Sequence, residues 1–540
     1  MDRRDFLAAG VAFTAVPPLA QTLDVLTTRP DSRALQTSPL DDLSIAAAQT
    51  EIVAGRLTSR ALTEHYLRRI RTLDADGPRI NSVIEVNPDA LAQADAADAD
   101  ADPARRSNRP LHGMPVLLKD NIDTGDRMIT SAGSLALADH RARRDATVVA
   151  RLRSAGAVIL GKTNLSEWAN FRSSHSSSGW SGRGGQTRNP HVLDRSPCGS
   201  SSGSGAAVAA DFCIAAIGTE TDGSIVCPSS LNGIVGLKPT VGLVSRSGII
   251  PIAASQDTAG PMARSVRDVA VLLSAMIGRD VADPATRGVP ASAPTDYTRT
   301  LDADGLRGLR IGIARNYFGF DVRVDALVED AVRVMRDRGA VIVDNATVPH
   351  ANAYGREELE VLLHEFKAGI NTYLGALPSS VPVHSLAELI LWNERNHERE
   401  LQWFGQDTFT QAQQRGGLSS AAYRKAREKC LQLSRRDGID AVLKRTRCDL
   451  LVGPTGGPAW MIDLVTGDHV GGGVSTAPAV AGYPHLTVPA GRVAGLPVGV
   501  SFFGAAWSEP LLFRAGFAFE QATLHRVRPG FTPTIAATPR

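Results

Sequence analysis

Hydrophobic and polar positions along the chain repeat with two different periods. Between Ser44 and Asp74 apolar residues recur every three or four positions, which predicts two amphipathic helices with Ser59 as the N-cap of the second. From residue 114 onward, short apolar runs typical of buried strands alternate with helical runs. The strand runs are 114–118, 157–160 and 449–452, and the helical runs are 147–154 and 265–277. This alternation predicts the α/β class with a mixed, largely parallel central sheet.

Two stretches depart from this alternation. Residues 21–42 lack periodicity and are rich in Thr, Pro, Ser and Asp, so we expect a linker there, a folded domain over 43–530 and a tail over 531–540. At about 355–435 long charged helical runs replace the strand signals, which predicts a helical insertion. The pattern leaves open whether this insertion caps a site or forms a solvated layer.

The first twenty residues have the features of an export signal. Arg3 and Arg4 precede a modestly apolar Ala/Gly stretch that ends near Ala20, a pattern typical of a Tat signal peptide. It predicts export by the Tat machinery to the periplasm or the medium, with removal of residues 1–20. The alternative is a frayed basic terminus.

Charge and composition narrow the classes of partner. The 540 residues carry 58 Lys and Arg against 56 Asp and Glu, a net charge of +2, so no global field attracts nucleic acid or an anionic membrane. No apolar run reaches the roughly 18 residues of a membrane span. We therefore expect a small-molecule or peptide substrate, no nucleic acid, and no membrane association of the mature form.

Cysteine and histidine spacing gives no sign of a metal site. The five cysteines are an odd number without a CxxC pair, so we expect buried core thiols rather than a disulfide framework or a zinc site. The histidines lack the HExxH spacing of zinc ligands. No metal and no cofactor are expected.

The segment 197–240 carries the strongest chemical signal. Its density of Gly and Ser permits tight turns in which backbone N–H groups converge on one point, as in an oxyanion hole. Apolar blocks at 206–210, 214–217 and 234–237 interrupt the Gly/Ser runs, which argues against a flexible linker.

This segment resembles the amidase signature in both halves. Residues 198–203 (CGSSSG) resemble its first glycine-serine run, and residues 218–225 (GTETDGSI) resemble the second, followed by LKPT at 237–240. Similar motifs continue at 113–120, 161–164, 257–261 and 496–500. The chain thus resembles the amidase-signature family over about residues 43–530. The resemblance implies a sheet covered by helices on both faces and the hydrolysis of carboxylic amides.

The resemblance also implies the catalytic residues. The family's lysine falls on Lys119, its bridging serine on Ser200 and its nucleophile on Ser224. The oxyanion hole falls on the backbone N–H groups of 221–224, which are Thr221, Asp222, Gly223 and the nucleophile itself.

The residue chemistry is compatible with this assignment. A serine hydroxyl needs a base, and the signature block holds no histidine, although His191 lies just upstream and distant histidines remain possible partners. Lysine acts as a base only when neutral. Burial must therefore lower its pKa from about 10.4.

Four positions differ from the commonest form of the signature. Cys198, Ser202 and Asp222 stand where glycine is usual, and Glu220 stands where aspartate is. This variant and the export signal most resemble bacterial peptide amidases, which remove the C-terminal amide of peptide amides. An aryl or acyl amidase of different substrate range and an amidotransferase subunit remain alternatives.

A nucleotide-binding alternative comes from residues 156–163, which fit G-x-x-x-x-G-K-T. In a P-loop the four variable residues form the loop after a strand, whereas here they are themselves an apolar run. We expect a strand at this position and no change of amide hydrolysis when Lys162 is replaced.

Overall fold

The computed structural model describes residues 38–100, 102, 105–106, 108–351 and 353–535. The predicted signal peptide, the predicted linker up to residue 37, and residues 536–540 of the tail lie outside the described residues. No helix in the described ranges is long and apolar enough to cross a membrane.

Eleven of the strands in the described chain form one sheet, in the order β1-β3-β2-β6-β8-β7-β12-β13-β11-β9-β10, and β4 and β5 form a separate hairpin. The strands are β1 Val83–Val86, β2 Pro115–Lys119, β3 Val158–Thr163, β4 Trp180–Ser181, β5 Gly185–Gln186, β6 Ala215–Glu220, β7 Val235–Lys238, β8 Thr258–Ala263, β9 Arg310–Ile313, β10 Val341–Val343, β11 Leu450–Pro454, β12 His485–Val493 and β13 Leu496–Phe503.

The predicted α/β class with a mixed sheet is confirmed. Parallel pairing joins β3, β2 and β6, and again β11, β9 and β10. The other pairs are antiparallel, among them the long hairpin of β12 and β13, in which His485 lies opposite Phe503. Two residues, Ala494 and Gly495, connect these two strands, so the pair must run antiparallel.

The helices are α1 Ile45–Val53, α2 Ser59–Arg69, α3 Ala90–Asp98, α4 Thr147–Ser154, α5 Ser202–Ala209, α6 Val226–Leu231, α7 Val266–Met276, α8 Val322–Asp337, α9 Gly355–Gly375, α10 Leu386–Arg395, α11 His397–Glu400, α12 Asp407–Gln413, α13 Ala421–Leu431, α14 Asp440–Thr446, α15 Thr476–Ala481 and α16 Glu509–Thr523. Wider turns extend α2 over Ile70–Ala75 and α13 over Gln432–Ile439. Single 3₁₀ turns lie at Leu135–Leu137, Glu167–Asn170, Pro284–Gly288, Tyr297–Thr300 and Arg315–Tyr317.

The N-cap predicted for α2 is one residue off. Thr58, not Ser59, caps the helix, because its side chain accepts a hydrogen bond from the backbone N–H of Ala61. Ser59 is the first helical residue, and its Oγ donates to Gly113 O at 2.9 Å. Two neighbouring hydroxyl residues leave the cap ambiguous in the sequence.

The central strands lie in the core. Every residue of β2, β3, β6, β7 and β8 is buried. Because successive side chains in a strand point to opposite faces, complete burial means that both faces of this part of the sheet are covered. The carboxyl ends of β2 and β6 are neighbours in the sheet, and they bring Lys119 close to the loop that follows Glu220.

The helices α9, α10 and α12 share a hydrophobic cluster. It includes Phe366 and Phe409, whose rings stack at 5.2 Å, and it extends to Trp168 and Ile252 outside these helices. Arg172 adds a polar anchor: its fully buried guanidinium pairs with Glu167 at 2.7 Å and donates to backbone carbonyls at 400 and 404. The helical segment is therefore packed onto the loops that flank the Gly/Ser block.

An ion-pair cluster joins the two ends of the described domain. Asp41 and Asp42 lie before α1, and Arg526 and Arg528 follow α16. Arg526 donates to Asp42 Oδ1 at 2.7 Å, and Arg528 pairs with Asp41 at 3.0 Å and with Asp42 at 2.9 Å. Asp42 N also donates to Asp211 Oδ2 at 3.0 Å, which fastens both ends to the turn after α5.

Candidate active site

Lys119 is the last residue of β2 and is fully buried. Its Nζ donates to Ser200 Oγ at 2.7 Å, to Thr219 Oγ1 at 2.9 Å and to Thr219 O at 3.2 Å. Burial lowers the pKa of Lys119 to about 7, although the negative charges of Glu220 and Asp257 oppose this shift. At neutral pH a large fraction of the side chain is therefore an uncharged amine.

Ser200 lies in the turn before α5 and is fully buried. The peptide bond between Gly199 and Ser200 is cis. The next residue connects this turn to the loop that holds Ser224: Ser201 N donates to Ser224 O at 3.1 Å, and Ser201 Oγ donates to Thr219 O at 3.0 Å. The structure thus brings all three predicted triad residues to one place in the fold.

The first turn of α5 lies so close to neighbouring backbone that it requires a glycine. At Gly203 an added Cβ would lie 2.2 Å from Ser82 O and 2.5 Å from Asn164 O. Both neighbours are backbone atoms that cannot move aside, so only glycine fits this position.

Ser224 lies in the five-residue loop between β6 and α6 and is 8% exposed. Glu220 joins the two ends of this loop, because its buried Oε2 accepts hydrogen bonds from Ile225 N at 2.7 Å and Val226 N at 3.1 Å. Gly223 has a φ of +79°, a value that side chains rarely adopt. The conformation before the serine therefore depends on a glycine and a carboxylate together.

The predicted oxyanion hole consists of the amides at 221–224. These four N–H groups donate no hydrogen bond to a side chain or to a loop carbonyl within the described part of the chain. The side chains of the loop, in contrast, are held on two sides. Thr221 Oγ1 donates to Asp257 Oδ1 at 2.6 Å, and Asp222 Oδ2 accepts from Thr476 Oγ1 at 2.8 Å.

A cavity of about 540 Å³ borders the end of β6 at Thr219 and Glu220 and the beginning of the following loop at Thr221. Its volume is in the range of pockets that enclose small ligands. Its wall is mostly apolar. The residues that form it come from the loop after β7 and from α9, among them Ile249, Ile250, Ile252, Gly369 and Tyr373.

A disulfide bond between Cys198 and Cys227 contradicts the expectation that all cysteines are free thiols. The other three, Cys213, Cys430 and Cys448, are free and buried, as expected. Cys198 lies two residues before Ser200 and Cys227 three residues after Ser224, so the bond fastens the two serine-bearing segments to each other. The sequence did not reveal it because the partners are 29 residues apart in a long chain, where an isolated pair has no recognisable spacing.

Replacing both Cys198 and Cys227 by serine should lower the free energy of unfolding by roughly 3 to 4 kcal/mol, as expected for opening a loop of this length in the unfolded chain. Urea denaturation with and without a thiol reductant measures the loss. The reductant should destabilise the wild type and the control Cys448→Ser but leave the double variant unchanged. Equal stability of all three proteins under oxidising conditions would contradict a stabilising bond.

The only described group of side chains that could gather around a metal ion is Asp41, His65 and Asp211. Arginines already bind both carboxylates: Arg528 pairs with Asp41 at 3.0 Å and Arg264 with Asp211 at 3.2 Å. The charge that would attract a cation is therefore compensated by protein groups.

Histidines are not partners of Ser224 in the described chain. His191, the nearest one in the sequence, is buried and its Nε2 lies 3.0 Å from Asn232 O. Burial lowers the pKa of His191 to about 4, so it is neutral at physiological pH. Among the described residues, Lys119 is the only base that forms a hydrogen bond with Ser200 or Ser224.

The nucleotide-binding alternative is not supported by the local fold. The prediction that residues 157–160 form a strand is confirmed, since β3 spans Val158–Thr163. Lys162 lies inside this strand, and its Nζ donates to Ile122 O at 2.7 Å and Thr130 Oγ1 at 2.9 Å. It has no exposed surface with which to contact a phosphate.

Sequence reasoning missed several residues at the site. Thr219 and Asn121 form a hydrogen-bonded chain with Lys119, in which Asn121 Nδ2 donates to Thr219 Oγ1 at 3.0 Å. Thr219 lies inside the motif at 218–225 and Asn121 directly follows the motif at 113–120, so the polarity of both residues beside buried strands was an available signal. Gln256 and Glu358 also reach the loop that holds Ser224, but Glu358 lies more than a hundred residues downstream and no spacing pattern pointed to it.

Comparisons with known proteins agree on one family. The Amidase family model matches residues 61–513. A probable amidase of Arabidopsis thaliana is 41% identical over 506 residues, which cover 92% of each chain. A glutamyl-tRNA(Gln) amidotransferase subunit from Chloroflexus aurantiacus is 38% identical over 507 residues, 91% of this chain and 99% of the relative.

Solved structures give the same result. The native peptide amidase of Stenotrophomonas maltophilia is 52% identical, with a TM-score of 0.86 over 91% of this chain and 99% of that chain. An amidase family protein of Bacillus anthracis is 38% identical, with a TM-score of 0.80 over 90% and 92% of the two chains. The match spans both serine segments and the lysine strand, and the chain therefore belongs to the amidase family and is an amide hydrolase.

Proposed function

We propose that the protein hydrolyses the C-terminal amide of peptide amides, with Ser224 as nucleophile and Lys119 acting through Ser200. The observation that carries the mechanism is the buried contact of 2.7 Å between Lys119 Nζ and Ser200 Oγ, next to the loop that holds Ser224. No other base lies within hydrogen-bonding distance of these serines among the described residues.

The surroundings of Lys119 suit the neutral amine. A neutral lysine has two N–H donors and one lone pair, and Thr219 offers two acceptors, its carbonyl oxygen and Oγ1. If these accept the two N–H bonds, the lone pair is left for the hydroxyl of Ser200. The contact between Ser200 and Lys119 then reverses, with Ser200 Oγ donating to Nζ.

The reaction follows in two halves. Ser224 Oγ attacks the amide carbonyl while its proton passes to Ser200 and the Ser200 proton passes to Lys119. The N–H groups of 221–224 stabilise the oxyanion, and the same route returns a proton to the leaving ammonia. Water then attacks the acyl-enzyme, its proton taken by the same relay, and releases the free carboxylic acid.

Two observations support a peptide amide as the substrate. The peptide amidase of Stenotrophomonas maltophilia is 52% identical over nearly its whole length. The largely apolar cavity beside Thr221 is large enough for a few side chains of a bound peptide.

The substrate assignment is tested by following ammonia release from a short peptide amide, with the free-acid peptide and an internal-amide peptide as controls. We expect ammonia from the peptide amide alone. Release from aryl or acyl amides but not from the peptide amide would overturn the peptide assignment and leave the amide hydrolase. Activity only in the presence of partner chains and an activated acceptor would favour the alternative, an amidotransferase subunit, to which this chain is 38% identical.

We further propose export by the Tat machinery. The support is the Arg3-Arg4 pair before an apolar stretch, together with the disulfide bond, since such bonds persist in oxidising compartments. Replacing both arginines by lysine should keep the protein in the cytoplasmic fraction. Unchanged export of that variant would overturn the assignment.

A further inference from the structure

Besides Asp222, a second acidic residue lies at the loop that holds Ser224, and it comes from the helix α9. Glu358 lies in the first turn of α9 and is buried. Its carboxyl group interacts with that of Asp222, two residues before Ser224, whose buried Oδ1 accepts a hydrogen bond from no donor in the described chain. Gln256 reinforces this contact, because its Nε2 donates both to Glu358 Oε1 at 3.0 Å and to Thr221 O at 3.3 Å. Asp222 and Glu358 therefore form a carboxyl pair at the oxyanion loop.

Two buried carboxylates that face each other repel, and this repulsion favours a proton held between them. No ion pair joins Asp222 or Glu358 to a lysine or arginine in the described chain, and the cation that acts on Asp222 is Lys238 of β7. Burial and mutual repulsion raise the pKa of Glu358 well above its ordinary value, and burial raises that of Asp222. These shifts favour a state in which the pair holds one proton.

We propose that the proton shared by Asp222 and Glu358 holds the 221–224 loop in the position for attack, so that Glu358 is a positioning residue of the helical segment. The proposal rests on the role assigned to Ser224. The contact acts on the amides of the oxyanion hole through the backbone on either side of Asp222. The helix α9, whose hydrophobic cluster packs on neighbouring loops, thereby takes part in setting the geometry of Ser224.

The charged and titratable groups around the pair come from several elements. Lys238 of β7, itself buried with a pKa lowered to about 8, favours the charged form of Asp222, while Glu220 of β6 opposes it. The remaining neighbours are uncharged at neutral pH. Tyr317, Tyr354 and Cys430 interact electrostatically with a member of the pair. Thr476, Ser475 and Gln256 form hydrogen bonds with a member of the pair.

This arrangement gives activity two pH limits. Below a pH of about 7 Lys119 becomes protonated and the rate falls. On the alkaline side the pair loses its shared proton, and two adjacent carboxylates then repel each other and displace the loop. The wild-type kcat should therefore rise through pH 7 and fall again at alkaline pH.

Glu358→Gln tests the shared proton directly. The glutamine Oε1 can accept from Gln256, and its Nε2 can donate to the Asp222 carboxylate at every pH. We expect kcat at neutral pH within about twofold of wild type and an alkaline fall that is absent or moved to higher pH. Glu358→Ala removes the contact and should lower kcat about 10- to 100-fold with little change of KM, since a displacement of about 1 Å can cost that much.

Glu357→Gln is the matched control. It lies one position earlier on α9 and pairs with Lys429 away from the site, so its pH profile should follow the wild type. An alkaline fall in Glu358→Gln identical to that of wild type, or a fully active, folded Glu358→Ala, overturns the proposal.

Two readouts separate this proposal from the proposed function. The rate at which a fluorophosphonate labels Ser224 reports the loop geometry without a substrate and should follow the same pH profiles in the same variants. If labelling follows them but the peptide amide is not cleaved, only the substrate assignment has failed. If labelling is absent from the wild type, the nucleophile is wrong. In either case the infrared difference spectrum of wild type minus Glu358→Gln at neutral pH tests the shared proton by itself, because other buried carboxyl groups cancel in it. We expect a positive carbonyl band of a protonated carboxyl group, and a difference spectrum without this band overturns the proposal.

Discussion

Replacing Ser224 by alanine should reduce amide hydrolysis by a factor on the order of 10⁴ to 10⁶, the cost of removing a nucleophile from a serine hydrolase. The side chain lies in the loop after β6, where Glu220 and Gly223 fix the backbone, and its loss changes no described hydrogen bond of that loop. Folding should therefore be intact. Ammonia release and circular dichroism on the same preparation measure the two properties.

Ser229→Ala is the matched control for this result. Ser229 lies on α6, is fully buried, and its Oγ has no hydrogen-bond partner among the described residues. Its replacement removes the same atom from the neighbouring helix and should leave the rate within about twofold. Activity that persists in Ser224→Ala would overturn the proposed mechanism.

Replacing Lys119 by methionine should lower kcat by a factor on the order of 10² to 10⁴, the usual contribution of a general base. The wild-type rate should also decline as the pH falls below about 7, because protonation of Lys119 removes the lone pair. The residual rate of Lys119→Met should lack this acid limb. A pH profile of kcat for both proteins measures the effect.

Lys162→Met provides the comparison, since Lys162 is a second fully buried lysine on the adjacent strand β3. It donates to Ile122 O and Thr130 rather than to a serine, so the folded variant should keep both its rate and its acid limb. Because Lys119 and Ser224 act in one step of the proposed mechanism, the double variant should be no slower than Ser224→Ala. If the acid limb of the pH profile persists in Lys119→Met, the group that titrates there is not Lys119.

The fold and the local motifs were largely readable from the sequence because both depend on nearby residues. The helix at 147–154 and the strand near 158 follow from periodicity, and the structure places them as predicted. The neighbourhood of Lys119, Ser200 and Ser224 was accessible only through resemblance, since these residues come from three separate elements whose proximity no single spacing encodes.

Other features could not be predicted from the pattern of the chain. The pairing of Cys198 with Cys227 depends on the approach of two loops, and the contact of Glu358 with Asp222 depends on how α9 packs against the sheet. Neither distance is determined by composition or period. Asp222 was recognised as an unusual residue beside the nucleophile, but only the fold supplied the carboxyl group that faces it.

The ion pairs between Asp41 or Asp42 and Arg526 or Arg528 have a consequence for protein engineering. Because these ion pairs hold residues 41–42 next to residues 526–528, the first and last parts of the described domain are neighbours in space. A short linker could join these ends, and new termini could be opened at an exposed turn such as the one near Gly319, where an added Cβ would meet no atom within 4 Å. The order in which the elements are synthesised is thus separable from the architecture that they form, and circular permutation would vary that order without altering the catalytic centre.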